Sequence, residues 1–316
     1  MYLRLISFFI LFLIPSFYLV HDFIFFLNEI TLFSFIFIII LFFYLFILKK
    51  EFNSIVSEKE SKNSINIYTV FYTFLGGIIT YHLNIHFSLG AVIASALTGI
   101  IGVTALKKYS IAIYCGSFVG MISGQLTAGW IEVYLTSLVA GFIFDISKDN
   151  FKGYGGKLGA IAFSSWILMY HFSDFELLRP ILDCKTGVEI IILSFIGVLL
   201  TFFLHAYINN DAVLSSSLVS LIGAMIFPVI FPESKEVFAL LFMAATFAGM
   251  GSKEKLDGIH KILLTSVLVA FLFFYTFSNL GGIGGKLGTI AFVSIIASDG
   301  FFKFINNFAF LKNKSL

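Results

Sequence analysis

The sequence predicts an all-α integral membrane protein of about twelve transmembrane segments, two N-terminal spans followed by a five-plus-five inverted repeat with short, glycine-broken helices 7 and 12. Three observations predict it. The chain is 59% apolar and 12% charged, with a mean hydropathy of +1.00, whereas soluble domains carry about 25% charged residues. Apolar runs recur from end to end at close to the roughly 20 residues that cross a hydrocarbon core of about 30 Å. The string GYGGKLGAIAF at 153–163 returns as GIGGKLGTIAF at 282–292, an offset of 129.

Taken in order, the runs lie near 2–20, 30–48, 65–83, 88–106, 109–125, 128–146, 157–172, 188–208, 212–230, 236–250, 260–280 and 286–298. The first, MYLRLISFFILFLIPSFYLV, has one charge and no small-x-small cleavage site, so an uncleaved span is expected. The second closes an accessory hairpin, and the polar loop KKEFNSIVSEKESKN (49–63) separates this pair from the other ten runs. The expected organisation is a hairpin with its loop (1–64), a first repeat (65–172), an outer linker (173–187), a second repeat (188–298) and a cytoplasmic tail (299–316). The tail combines aromatics with Lys303, Lys312 and Lys314, a pattern suited to lying on a leaflet surface. With a cytoplasmic N-terminus, sixteen Lys and Arg fall on the inner side and four (Arg179, Lys185, Lys235 and Lys286) on the outer. That is the bias of cytoplasmic loops. The expected location is the cell membrane, multi-pass, with N- and C-termini cytoplasmic.

The duplicated string belongs to a longer repeat. At the same offset of 129, GSFVGM (116–121) meets ATFAGM (245–250). Upstream the offset becomes 121, where Phe74, Gly76, Thr80 and Leu83 match Phe195, Gly197, Thr201 and Leu204. Five crossings per unit is an odd number, so the second unit is expected upside down relative to the first, an arrangement typical of transporters. In architecture alone the plan is similar to urea transporters, bile-acid sodium symporters and drug/metabolite transporters. None of their motifs is present, and no site residue is taken from them.

The strings supply the candidate site. Runs 7 and 12 are too short to cross unaided, so Gly155, Gly156, Gly284 and Gly285 are expected to enter the membrane as unwound backbone, with positive φ at one or more positions in each string. A helix starting there points free N–H groups and partial positive charge inward. Lys157 and Lys286 would add a cation at each start, facing one midplane site for an anion or a polar carbonyl. Ser117 and Thr246, beside the strings, would supply hydroxyls. A nucleotide-loop reading fails, since no Ser or Thr follows the lysine and no strand precedes the string.

Other features read as structure. Gly116, Gly120 and Gly124 have the spacing of close helix packing. Glu132 and Asp145 sit near helix ends, unlike a mid-span proton-coupling carboxylate. His82 and His86 are one turn apart, but their repeat mates are Phe203 and Tyr207, and no metal site is expected. Cys115 and Cys184 fall in unlike places, which argues against a disulfide. No catalytic motif, cofactor or nucleic-acid-binding patch is read, so the protein is not expected to be an enzyme. The expected partners are a small solute and the lipid bilayer, and a homo-oligomer is compatible with the pattern. The expected function is a channel or secondary transporter for a small polar or anionic solute. The alternatives are a membrane scaffold or assembly protein and an intramembrane enzyme acting on a lipid-linked substrate.

Overall fold

The computed structural model describes residues 2–26, 32–57, 65–126, 128–178, 187–276 and 281–314. Part of the 49–63 loop, most of the expected outer linker, and Arg179, Cys184 and Lys185 lie outside the described residues. Twelve α-helices follow one another: α1 (Tyr2–Phe26), α2 (Leu32–Ser57), α3 (Ile67–Tyr81), α4 (Ala91–Ala105), α5 (Ser110–Val119), α6 (Trp130–Ser147), α7 (Lys157–Tyr170), α8 (Glu189–Phe203), α9 (Ala212–Ile230), α10 (Lys235–Gly249), α11 (Ile259–Thr276) and α12 (Lys286–Lys314). A π-helical turn extends α3 over His82–His86 and another extends α8 over Leu204–Asn209. Among the described residues the β contribution is one isolated antiparallel bridge between Leu178 and Gly281.

Local chemistry explains several helix starts. Asn66 accepts the Tyr68 N–H at 3.1 Å and Asp211 accepts the Leu214 N–H at 3.0 Å. Each satisfies a first-turn donor that has no partner within the helix, worth about 1 kcal/mol. Glu132 reaches back to the Gly129 N–H at 2.8 Å. Asp145 is buried at the end of α6 and accepts the Asn66 N–H at 3.1 Å, tying down the start of α3.

The expected count of about twelve transmembrane segments does not hold. Among the described residues, five helices are long and apolar enough to cross: Trp130–Ser147, Glu189–Asn209, Ala212–Ile230, Ile259–Thr276 and Lys286–Asn307. Helix α5 has 10 residues, α7 has 14, and α4 and α10 have 15 each. At a rise of about 1.5 Å per residue the longest of these reaches only about 23 Å, short of a core of about 30 Å. These segments are apolar because protein surrounds them. Every residue of α5 except Ile111 is buried, and a helix that is apolar all round can be a core helix as readily as a span. Helix 12 is also not short. It continues unbroken from Lys286 to Lys314, 29 residues, past the expected stop at 298. The continuation has a partner in α2, where Phe301 packs edge-on to Phe43, Phe304 packs against Phe42, Phe43 and Phe46, and a Cβ on Gly300 would overlap the Phe43 carbonyl oxygen.

The two halves pack alike. Helix α3 packs on α4, α5 and α6, α5 on α4, α6 and α7, and α6 on α7. In the same way α8 packs on α9, α10 and α11, α10 on α9, α11 and α12, and α11 on α12. The halves meet where α4 crosses α9 and α7 crosses α12, each helix there against its own counterpart. Helix α1 lies on α6 and α7, and α2 on α12. Large apolar side chains such as Phe35, Ile38 and Phe42 of α2 and Ile222, Met225 and Val229 of α9 face outward, as they do towards hydrocarbon rather than water. The chain is a multi-pass helical membrane protein.

Candidate functional site

The glycine strings break the chain as their composition requires. Gly153, Gly156, Gly282 and Gly285 have φ of +77°, +78°, +89° and +85°, a region that costs a residue with a β-carbon about 1–2 kcal/mol. Helix α7 starts directly after Gly156 and α12 directly after Gly285. The expectation of positive φ within each string is met at Gly156 and Gly285. Gly155 and Gly284 are needed for a different reason, close backbone approach. A Cβ on Gly284 would overlap the Phe118 carbonyl oxygen at the end of α5, and one on Gly155 would overlap the Phe247 carbonyl oxygen near the end of α10. Each string thus packs on the other half of the chain. The Ser123 N–H donates to Gly282 O and the Ser252 N–H to Gly153 O, both at 2.8 Å and again at matched positions.

Two cavities flank this arrangement. One, of about 990 Å³, is lined by Gly281–Lys286 and by Asn84, Leu89–Ile93, Met121–Gln125, Lys235 and Glu236, among others. The second, of about 680 Å³, is lined by Gly153–Lys157, Asn210–Val213, Lys107, Lys148, Lys152 and Met250, among others. Apart from the odd position these walls are repeat mates. Phe118 and Phe247, which are 129 apart, line both cavities. Their rings lie 4.5 Å apart between centroids and are buried. This pair is the wall that the two cavities share.

The sequence-selected polar residues are distributed unevenly. The strings and both lysines line cavities, but Lys157 and Lys286 occupy one cavity each and do not share a site. The Lys157 ammonium donates to Ser147 O at 2.6 Å and Asn150 O at 2.5 Å, closing the end of α6. Lys286 instead sits 5.9 Å over the Tyr18 ring, a cation–π distance. Ser117 and Thr246 are buried outside both cavity walls. Ser117 shares a 2.8 Å hydrogen bond with Ser95, and Thr246 bonds Ser216 at 3.1 Å and Ser220 at 2.8 Å. Gly116 and Gly120 serve packing, since a Cβ on either would strike the backbone of α3 at Thr73 or Gly77. His82 and His86 stack at 4.8 Å, and His82 shares a 2.8 Å hydrogen bond with Tyr134.

Two groups of residues were not singled out in the sequence. The π-turns carry Asn84 and His205, which are 121 apart. Asn84 donates to Ile122 O at 2.7 Å and His205 to Gly251 O at 2.9 Å, so matched side chains bond matched carbonyls where the chain leaves α5 and α10. The other group does not repeat. The Asp299 carboxylate, 2% exposed, accepts from Tyr154 at 2.5 Å and Lys303 at 2.6 Å, with Lys255 at 3.5 Å. Lys255 also lies 4.0 Å over the Tyr154 ring. Burial first, and then the Asp299 charge, push the Tyr154 phenol well above its ordinary range. Burial pulls the Lys255 ammonium below its own range, with Asp299 opposing.

No family model, curated protein or solved structure matches the chain. The functional reading rests on the geometry.

Proposed function

We propose that this membrane protein is a channel or secondary transporter for a small polar or anionic solute, with the Phe118–Phe247 ring pair as the septum between two entry cavities. One observation carries the reading. Two cavities, each walled by one copy of the duplicated glycine–lysine string, end at the same aromatic pair. An inert bundle has no use for symmetry-matched cavities converging on one thin wall.

An inverted relation of the halves is part of the proposal. Its support is no longer a count of crossings but the α7–α12 contact. Gly156 packs on Phe292 and Gly285 on Phe163, while Gly159 packs on Gly288. The contact runs antiparallel, and each pair maps onto its counterpart at the offset of 129. A two-fold axis producing such pairs is perpendicular to the helices. For helices along the bilayer normal it lies in the membrane plane, as in inverted-repeat transporters. The two cavities then open to opposite faces. Arg4 bonds Asn150, and Lys303 joins the Tyr154 cluster, so both ends of the chain lie near Lys148 and Lys152. The positive-inside rule favours the cytoplasm for that end.

The test is solute flux into liposomes holding the purified protein. Flux above that of empty liposomes is expected for at least one small polar or charged solute. The double substitution of Phe118→Ala and Phe247→Ala should raise that flux by thinning the septum. Background rates from both folded proteins across the panel would leave a scaffold as the better description.

A further inference from the structure

We infer that the solute is a small monovalent anion, gathered from either face by cavity walls of positive fixed charge. The inference rests on the transport reading above and narrows its substrate class. Over the whole chain 20 cationic residues nearly balance 18 acidic ones. The cavity walls are not balanced. The larger cavity holds Lys235 and Lys286 against the single carboxylate of Glu236. The smaller holds Lys107, Lys148, Lys152 and Lys157 against the single carboxylate of Asp211. Positive-inside bias accounts for a basic mouth at the cytoplasmic face alone. It gives no reason for an excess of lysine at both cavities, whereas attraction of an anion from either face does. A cleft lined by one sign of charge raises the local concentration of the opposite ion and its rate of entry by about 10–10³-fold.

The backbone adds in the same sense. Leu158 and Leu287, in the first turns of α7 and α12, form part of the two walls, so the positive helix ends adjoin the cavities. The Phe118 and Phe247 carbonyls near the opposing ends of α5 and α10 are covered by Gly284 and Gly155. The septum selects for charge number. The Phe118 and Phe247 rings offer no hydrogen-bond donor, so a passing ion sheds much of its water there. That cost grows with the square of the charge and excludes a divalent anion before a monovalent one.

The experiment is light-scattering flux with the full-length protein in liposomes, using potassium salts with valinomycin to balance charge. The probes are nitrate, chloride, formate and sulfate, with urea and glycerol as neutral solutes and potassium gluconate without valinomycin as the cation control. The expected result is flux of one or more monovalent anions about tenfold or more above empty liposomes, with sulfate and the neutral solutes at background. Lys235→Glu, at an exposed first residue of α10, should lower anion flux about threefold or more with unchanged thermal unfolding. Neutral-solute or cation flux with anions at background would overturn the anion inference and leave transport standing. Unchanged anion flux in Lys235→Glu would overturn the role given to the wall charge. Background rates for every probe would overturn this inference and the transport reading together.

Discussion

Gly159 of α7 and Gly288 of α12 meet backbone to backbone, such that a Cβ built on either would stand 2.5 Å from the Cα of the other. The pair is its own mate at the offset of 129, so it marks the pseudo-symmetry centre of the contact. Neither backbone can retreat, because Gly156 and Gly285 lock the flanking turns. Gly159→Ala and Gly288→Ala should therefore each destabilise by about 1–3 kcal/mol, the cost of overpacking a rigid contact. Thermal unfolding in detergent measures this. Two clearly unequal values would deny the symmetry of the crossing.

Within the strings, the paired glycines separate two physical demands. Gly156→Ala and Gly285→Ala place a β-carbon at positive φ and should cost about 1–2 kcal/mol or more. Gly155→Ala and Gly284→Ala drive a β-carbon into the Phe247 and Phe118 carbonyls, which no rotamer change relieves. These should be the harsher pair, with folded yield falling in the order Gly284→Ala below Gly285→Ala. Tolerance of Gly284→Ala would mean that α5 ends farther from the string than the structure places it.

Much of this could be read before the structure. Helix order and the glycine breaks were legible because punctuation by Gly, Pro and charged residues is local. The number of crossings was not, because apolar composition reports exclusion from water and is the same for α5, enclosed by protein, as for α8, which is long enough to cross. Phe118 and Phe247 lay inside the matched segments but carried no distinction among 42 phenylalanines. The Asp299 cluster was hidden for the opposite reason. It lies outside the repeat, and comparing the halves discards whatever differs between them.

The two lysines are identical in sequence context and differ in what they touch. Lys157 donates charged hydrogen bonds to two backbone carbonyls, each worth about 1.5–3 kcal/mol. Lys157→Ala should lower stability by about 3 kcal/mol in total. Lys286→Ala loses a cation–π contact worth about 1 kcal/mol at most, and its main effect should be on flux through the larger cavity. Equal stability losses in the two variants would show that the sequence likeness extends to the environments.

Asp299 binds together three segments: the loop before α7 through Tyr154, the loop after α10 through Lys255, and α12 itself through Lys303. Asp299→Ala leaves buried cations unpaired and should cost about 3 kcal/mol. Tyr154→Phe should cost about 1 kcal/mol. The raised Tyr154 pKa means that the folded state holds the phenol proton more tightly than the unfolded chain. Its contribution is therefore complete below the ordinary value of 10.0 and declines as pH rises above it. Unfolding midpoints at about pH 8 and about pH 11 should diverge more in the native protein than in Tyr154→Phe. Parallel declines would exclude Tyr154 as the titrating group.

Sidedness tests the inverted arrangement without any knowledge of the solute. Lys107 precedes α5 and Lys235 opens α10 at nearly matched positions, and both are exposed. Each lines a different cavity. If the axis implied by Gly156–Phe292 and Gly285–Phe163 lies in the membrane plane, these lysines emerge on opposite faces. A parallel repeat would put them on the same face. Single cysteines replacing Lys107 or Lys235, in a chain with Cys115→Ala and Cys184→Ser, should react with an impermeant maleimide from opposite sides of sealed cells. Lys235→Cys should label from outside, and Lys107→Cys only after permeabilisation. Labelling of both from one side would remove the inverted arrangement and the two-faced entry that depends on it.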